Sequence, residues 1–361
     1  MKRFVAICLA VLLPLLSMTS CQQQKTLTKY QYQFFDTFDT LIQIVGYTET
    51  EEQFNTYAQQ AHQRFIELNN LFDKFDDHGL TNGLAAINQQ AGVAPVKADP
   101  QVLKLLNFAL EWQAKTDGAV DITMGPVISV WQSYIARYKD DYDNATLPTD
   151  QELQDALVHC GQDKLVIDQQ AGTVYLTEKG ASLDVGAVAK GYATEIVANE
   201  LQAAGWSSFS LSSGGNVRTC GAPQNGKTRA WSVGIQDPRS GAVLAQDSSL
   251  LDVVYANDMS VVTSGDYQRF YMVGDRRVHH IIDPATLMPA DHYRSVTVVV
   301  RDSGEADVLS TALFILDYDT GSALAEQLGV GVMWVYADGT VKTNDILKPM
   351  LRDIGGADNS L

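Results

Sequence analysis

Residues 183–191 read Leu-Asp-Val-Gly-Ala-Val-Ala-Lys-Gly, and this stretch indicates the fold best. Alternating apolar residues over 181–185 predict a strand, a turn contains Gly186, and a helix is predicted to continue to about Ala204. Free backbone N–H groups at a helix start favour an anion, and Lys190 in the first helical turn adds positive charge. The spacing matches neither a Walker loop nor a dinucleotide fingerprint. A phosphate cradle and a plain strand-to-helix turn therefore both stay open.

Upstream of this stretch, the hydrophobic periodicity predicts strands first and helices next. Alternation over 30–47 predicts two strands around a turn near Asp36, and helices are predicted over 50–72 and 101–116. A hairpin is predicted over 165–177. Downstream, strands are predicted at 208–211, 231–236, 260–263, 269–273, 278–282, 295–300 and 331–336, and a helix over 306–316. The order predicts an α+β fold with mostly antiparallel sheets and flanking helices, in one intertwined body over residues 31–361.

Composition and charge limit the class of protein. The chain has 361 residues, of which 45% are hydrophobic and 19% charged, and its formal net charge is −17. This composition argues against a disordered body. The acidity argues against nucleic acid as a partner, because like charges repel. An anionic ligand would need a local lysine, a helix N-terminus or a metal ion.

The N-terminus has the pattern of an export signal. Met1-Lys2-Arg3 precedes an apolar run over 4–16, and small or polar residues lead to Cys21. This run is too short for a comfortable membrane span of ~20 residues. Two interpretations stay open: an ordinary cleaved signal peptide, or a lipoprotein signal over 1–20 with Cys21 lipidated and 21–30 as a polar tether. Both predict a body that is exported and faces the periplasm or the cell exterior. The second attaches it to a bilayer.

Two cysteines remain in the body. Cys160 and Cys220 are not in a CxxC or zinc-binding spacing, so no zinc cluster is predicted. They either pair in an oxidising compartment or stay buried free thiols, which is the commoner case.

Three short motifs carry groups suited to binding or catalysis. Ser212-Ser-Gly-Gly-Asn216 is a turn in which paired glycines allow a ligand close to the backbone, or an ordinary tight turn. The segment 279–284 puts a titratable imidazole near a turn, as a base or as a structural histidine. Asp307 and Thr311 share one helical face, where they either converge on a hard cation or Asp307 caps the helix start.

The motifs resemble those of the ApbE family, in that family's order. The matching segments are Thr116–Pro126, Leu183–Tyr192, the Ser-Gly-Gly-Asn turn, Trp231–Pro238, Thr263–Tyr267, His280–Pro284 and Ala306–Thr311. The resemblance covers about residues 34–336. It implies an ApbE-like, T-fold-like body that moves FMN from FAD onto a Thr or Ser of another protein with the help of Mg²⁺.

The resemblance also implies a set of site residues. The metal ligands would be the carbonyl of Ala187, the carboxylate of Asp307 and the hydroxyl of Thr311, with Ser310 as a further candidate. Oxygen ligands of this kind suit Mg²⁺. The FAD contacts would be Phe35, Phe75, Ala119, Val120, Asp121, Asp184, Lys190 and Ile281. Phe35, Phe75 and Val120 depart from the family pattern, which often has Met, Tyr and Phe there, and Phe75 lacks the hydroxyl of Tyr.

In the implied reaction, a hydroxyl of a target membrane flavoprotein attacks the FMN phosphorus of FAD and AMP leaves. His280 is the predicted base and Asp283 a second candidate. Two alternatives stay open: a Mg²⁺-dependent FAD pyrophosphatase that uses water, and a lipoprotein that only binds flavin or another solute.

Overall fold

The computed structural model describes residues 27–240 and 250–352. The predicted signal segment, Cys21 and residues 22–26 of the predicted tether lie outside these ranges. Within them, no helix combines the length and the apolar character that a membrane crossing requires.

Helices and strands alternate along the described residues. The helices are α1 (Glu51–Phe72), α2 (Leu84–Gln89), α3 (Pro100–Lys115), α4 (Gly125–Tyr138), α5 (Asp150–Leu157), α6 (Ala189–Ala203), α7 (Ser303–Ile315) and α8 (Tyr318–Leu328). The strands are β1 (Thr28–Thr37), β2 (Thr40–Thr48), β3 (Val96–Lys97), β4 (Leu165–Asp168), β5 (Thr173–Leu176), β6 (Phe209–Ser213), β7 (Asn216–Cys220), β8 (Trp231–Gln236), β9 (Leu250–Ala256), β10 (Ser260–Gly265), β11 (Phe270–Val273), β12 (Arg276–His279), β13 (Ser295–Val300), β14 (Gly331–Val335) and β15 (Val341–Thr343).

An antiparallel sheet forms the centre of the fold. In the described ranges it has eight strands in the order β1-β2-β6-β7-β10-β13-β14-β15, and every neighbouring pair is antiparallel. Smaller sheets pair β11 with β12, β8 with β9, and β3 with β5 and β4. The predicted α+β class with mostly antiparallel sheets is confirmed.

The two faces of the central sheet are covered by different layers. Successive side chains of a strand point to opposite faces. In β10, Val262 joins the large core beneath α1, α6 and α7, whereas Val261 joins a second core with Val254 of β9. Helices therefore cover one face, and the β8–β9 hairpin covers the other.

Helix α7 is buried on nearly every side, and this makes its polar residues notable. Ala306, Leu309 and Leu313 belong to the large core, while Asp307 and Ser310 are buried on the same helix. A buried polar side chain needs a hydrogen-bond partner or a ligand. The partners of these residues define the candidate site.

A buried ion pair fixes the start of α7 against α6. Glu195 of α6 accepts a hydrogen bond from Arg218 Nε of β7 at 2.9 Å, and also from the backbone N–H of Ser303 at 2.9 Å. Asp302 is the N-cap of α7 and accepts from the N–H groups of Gly304 and Glu305. The alternative in which Asp307 caps α7 is therefore wrong.

Most predicted elements are confirmed with shifted ends. The helices predicted over 50–72 and 101–116 are α1 and α3, and the helix predicted over 306–316 begins three residues earlier, at Ser303. The turn predicted near Asp36 lies at Phe38 and Asp39, which both have positive φ. The Gly-Gly turn is confirmed as the β6–β7 connection, with Ser213 opposite Asn216.

The strand predicted over 181–185 is wrong. Its backbone groups bond to a side chain and a loop, so the segment joins no sheet. The N–H of Leu183 donates to Asn88 Oδ1 at 2.8 Å and its carbonyl accepts from Asn88 Nδ2 at 3.0 Å. The N–H of Asp184 donates to the carbonyl of Ile122 at 2.8 Å. The predicted strand over 278–282 also ends early, since β12 stops at His279.

Cys160 and Cys220 are both free and buried, so the free-thiol alternative is confirmed. Burial raises the pKa of Cys220 to about 12, and such a thiol is unreactive.

Candidate active site

One cavity brings most of the predicted site residues together. Its volume is about 510 Å³, within the range of ligand pockets. We call it the main cavity. The predicted residues that line it are Phe35, Ala119, Val120, Asp121, Asp184, Ala187, Lys190, His280, Ile281, Asp307 and Thr311. Phe75, Asp283 and Ser310 are not among the lining residues.

The contact between α6 and α7 places the carboxylate of Asp307. One oxygen, Oδ2, accepts a hydrogen bond from the N–H of Gly191 at 2.7 Å, and Asp307 is only 4% exposed. Position 191 must be glycine, because a Cβ there would lie 2.2 Å from the carbonyl oxygen of Ser303. Asp307 thus binds the first turn of α6, a helix other than its own, and faces the main cavity at the same time.

The hydrogen bond between Gly191 and Asp307 also uses an amide that was predicted to belong to the phosphate cradle. The helix predicted after Gly186 is α6, and Lys190 lies in its first turn. However, the Gly191 N–H is bound by Asp307, and the N–H of Ala189 donates to the carbonyl of Val185. The positive contribution here therefore comes from the Lys190 ammonium more than from these two amides.

The hydroxyls of α7 take different positions. Ser310 is fully buried, and its Oγ donates to the carbonyl of Asp307 at 2.9 Å and lies 2.8 Å from Ser264 Oγ. Thr311 is half-buried at the cavity wall, with Oγ1 3.3 Å from the same serine. The structure thus brings Thr311 to the cavity and turns Ser310 to the helix backbone.

The oxygen donors near Asp307 fit a hard divalent cation. Ala187, Asp307 and Thr311 line the same cavity and offer a carbonyl, a carboxylate and a hydroxyl oxygen. Within the described ranges, no group of three or more His, Cys, Asp or Glu side chains could hold a metal by itself. Mg²⁺ commonly binds through one or two carboxylates together with substrate phosphates, so this sparse set suits it.

Two neighbouring histidines have separate environments. His279 is buried, with Nε2 2.7 Å from the carbonyl of Ala290 and Nδ1 accepting from the N–H of Ile281 at 3.2 Å. Burial lowers its pKa to about 4. Both ring nitrogens are used within the protein, so His279 is the structural histidine of this segment.

His280 faces the main cavity. Its Nδ1 lies 3.3 Å from the carbonyl of Arg269. When Nδ1–H donates to that carbonyl, Nε2 keeps its lone pair and accepts a proton. Burial, and then the positive charge of Arg269, lower the pKa of His280 to about 3. The imidazole is therefore neutral at neutral pH.

Asp283 lies apart from His280. Its Oδ1 accepts from the N–H of Ala285 at 2.8 Å, and its Oδ2 from the hydroxyl of Thr286 at 3.0 Å. It lines a neighbouring hollow of about 390 Å³, which shares only Ala119 and Pro284 with the main cavity. Its carboxylate thus organises the turn after the histidines.

A strained turn presents residues 119–121 to the cavity. Asp117 and Gly118 both have positive φ and follow Thr116, the C-cap of α3. The N–H of Ala119 donates to the carbonyl of Thr116, and Asp121 Oδ1 accepts from the N–H of Thr123 at 2.7 Å. Asp121 therefore caps the short turn that leads into α4.

Two exposed aromatic rings, Phe35 and Phe75, belong to the predicted flavin contacts. Phe35 and Phe75 are 69% and 72% exposed. An exposed aromatic ring is a suitable stacking surface for a planar ligand. Phe75 lies beneath the ammonium of Lys74, at 4.6 Å from its ring centre, although only Phe35 lines the cavity.

Two groups at the cavity were missed by reasoning from sequence. Lys74 Nζ lies 2.5 Å from Asp184 Oδ2 and 2.7 Å from Gln132 Oε1. These three residues are distant in sequence, and no pattern within one element connects them. Asn216 lines the cavity and is 2% exposed, and its Nδ2 has no hydrogen-bond partner among the described residues. The Gly-Gly turn directly before Asn216 is the sequence feature that could have indicated this residue as part of the site.

A family model described as the ApbE family matches residues 38–334. The chain belongs to the ApbE family. It is 34% identical over 278 residues to an FAD:protein FMN transferase of Treponema pallidum, covering 73% of each chain. It is 28% identical over 287 residues to one of Vibrio cholerae, covering 78% of this chain and 80% of the other.

Solved ApbE structures share the fold. The ApbE protein of Thermotoga maritima has a TM-score of 0.76 and 27% identity, over 90% of this chain and 99% of the other. The flavin transferase ApbE of Vibrio cholerae has a TM-score of 0.74 and 24% identity over the same shares, and at that identity it supports the fold alone. The predicted ApbE-like architecture is thereby confirmed.

Proposed function

We propose that this ApbE-family chain transfers FMN from FAD to a Thr or Ser hydroxyl of a target flavoprotein, with Mg²⁺ as cofactor and AMP as the second product. One observation carries the proposal: the oxygen donors Ala187, Asp307 and Thr311 line the same cavity as Lys190 and His280. The relatives named above as FAD:protein FMN transferases support the same activity.

An anionic substrate needs local positive charge on this acidic protein, whose net charge is −17. Lys190 and Arg269 line the cavity together with the carboxylates of Asp39, Asp121, Asp184 and Asp307, so these two cations and a bound metal ion would have to hold a diphosphate there. Fixed cations in a partly desolvated site attract a diphosphate more strongly than they would in water. When bound, Mg²⁺ would neutralise charge on the diphosphate and stabilise the leaving oxygen.

The bond changes are those of a phosphoryl-type transfer. The acceptor oxygen forms a bond to the FMN phosphorus, the bond from that phosphorus to the bridging oxygen breaks, and AMP leaves with the electron pair. Nε2 of His280 takes the hydroxyl proton. A neutral imidazole at the cavity is suited to this role, and the negative charge of bound FAD would raise its pKa toward neutrality.

FAD hydrolysis is the second candidate, because the same residues serve when water replaces the acceptor hydroxyl. One incubation separates the candidates: the protein with FAD, Mg²⁺ and a peptide that carries a membrane flavoprotein's Ser/Thr acceptor motif. Covalently fluorescent peptide supports transfer and free FMN supports hydrolysis. Unchanged FAD would mean that the chain only binds flavin, and the proposal would fail.

We further propose that the chain is exported and anchored to a bacterial membrane through a lipidated Cys21. The support is the basic, apolar and small-residue order of residues 1–21. The full chain expressed with labelled palmitate should incorporate label and fractionate with membranes. Cys21→Ser should lose both, and label retained in that variant would refute the anchor.

A further inference from the structure

Lys74 is a largely buried cation beside the main cavity that the proposed reaction has not used. Its side chain is 12% exposed and that of its partner Asp184 is 6% exposed. The ammonium lies 2.5 Å from Asp184 Oδ2 and 2.7 Å from Gln132 Oε1. Both partners line the main cavity, so Lys74 acts on the cavity wall through them.

Asp184 is held from two sides. Its Oδ1 accepts from the N–H of Gly186 at 2.8 Å, which fixes it to the turn before α6. Lys74 reaches its Oδ2 from the loop after α1, 110 residues away in sequence. A buried carboxylate without a counter-charge is strongly unfavourable, and more so beside an anionic ligand. Lys74 removes that repulsion.

Lys74 also connects the cavity wall to the exposed Phe75 ring. The ammonium lies 4.6 Å from the ring centre, a distance at which cation–π attraction holds a ring in place. Nothing else in the described contacts of Phe75 fixes its side chain, since its backbone N–H donates to Asp73. One cation thus contacts a carboxylate that lines the cavity and an aromatic ring that does not, so its contact with Asp184 is the one that bears on the cavity.

We propose that Lys74 is a positioning residue for FAD binding: it neutralises and orients Asp184 at the cavity wall. The inference rests on the proposed function, since it assumes that FAD occupies the main cavity. Lys74 takes no part in the bond changes, so its loss should affect affinity and leave the chemical step largely intact.

A double-mutant cycle tests this assignment. In the wild-type background, Lys74→Met should raise Kd and KM for FAD by about tenfold and leave kcat at saturating FAD within about twofold. In the Asp184→Asn background, the same change should alter Kd by less than about twofold, because no buried charge is left to compensate. The side-chain amide of Asp184→Asn would still accept the Gly186 N–H through its oxygen.

Two further variants keep the test decisive. Lys74→Arg retains the charge and should restore most of the affinity, whereas Lys74→Gln replaces Lys74→Met if the methionine variant fails to fold. Lys164→Met is the matched control, since Lys164 is also largely buried, at 16% exposure, and paired with Asp163. It lies outside the main cavity and should not change FAD affinity.

FAD binding is measured by quenching of flavin fluorescence without acceptor. Equal affinity in the Lys74→Met and wild-type proteins, or an equal loss in the wild-type and Asp184→Asn backgrounds, overturns the role of Lys74. Wild-type protein that binds FAD without transferring it would refute the proposed function alone and still leave the cycle measurable.

Discussion

Two groups of residues at the main cavity differ in burial. Asp307, which represents the helical end, is 4% exposed and bonded to Gly191, whereas the aromatic end consists of the largely exposed rings of Phe35, which lines the cavity, and Phe75, which does not. The first end is built on two packed helices, and a buried ion pair between Glu195 and Arg218 supports it. The second end is built on loop and strand-end residues. Rigid elements hold reacting groups in place, whereas exposed rings adapt to a ligand.

This difference predicts which kinetic quantity each end controls. Changes at the helical end should reduce turnover, because the groups there would contact the charge that develops in the reaction. Changes at the aromatic end should reduce FAD affinity instead. Single substitutions at each end test this division.

Asp307→Asn and His280→Ala should have the two largest effects, and Asp307→Asn tests the cation site. The amide still accepts the Gly191 N–H, so the fold is kept, but the single carboxylate of the cation site is lost. We expect Mg²⁺-dependent transfer to fall by about a hundredfold or more. Asp302→Asn is the control, because Asp302 only caps α7. Steady-state rates across a Mg²⁺ titration measure both, and full activity of Asp307→Asn would remove the metal assignment.

His280→Ala should slow transfer by about 10²–10⁴-fold and leave FAD affinity within a few-fold, because a base acts in the chemical step. Single-turnover transfer at saturating FAD measures the step. Loss of FAD binding with normal turnover of the bound fraction would assign His280 to binding. His279→Ala, in contrast, should lower the unfolding temperature, since both nitrogens of His279 are bonded within the protein.

The pH dependence of the protein without FAD tests the environment of His280. The fold lowers the pKa of His280 from its ordinary 6.5 to about 3. The unfolded chain therefore takes up a proton below pH 6.5 that the native protein does not. As a result, the free energy of unfolding falls progressively as pH falls from 6.5 toward 3. NMR titration should show no protonation of His280 near its ordinary pKa of 6.5. A midpoint there would contradict the described environment.

The helical end was easier to predict from sequence than the aromatic end, and the reason is physical. Asp307 and Thr311 are one turn apart on a helix, so local periodicity places them together. Lys74 and Asp184 meet only through the tertiary fold. The prediction of a strand over 181–185 was wrong for the same reason. Alternating apolar residues predict extended backbone but do not specify its partner, which here is the side chain of Asn88.

Asn216→Ala should have an intermediate effect. Its buried Nδ2 has no partner among the described residues, so bound FAD is expected to accept its hydrogen bond. Removing that donor should weaken FAD binding by about five- to tenfold. Ser213→Ala is the control, since Ser213 is buried opposite Asn216 in the register but does not line the cavity. Unchanged affinity in Asn216→Ala would show that FAD does not use this amide.

Phe75→Leu should have the smallest effect, about two- to fivefold on FAD affinity with unchanged kcat, because an exposed ring contributes stacking without a polar contact. Fluorescence titration with FAD measures it. A fall in kcat larger than the fall in affinity would contradict the division between the two ends.

The most direct test of the central claim follows the oxygen atoms in water enriched in heavy oxygen, with wild-type protein, FAD, Mg²⁺ and an acceptor peptide. Attack by the peptide hydroxyl on the FMN phosphorus predicts FMN-peptide and AMP in equal amounts, both without the label by mass spectrometry. Label in free FMN as the main product would show hydrolysis. Label in AMP, or an AMP-peptide, would place the attack on the other phosphorus and contradict the account.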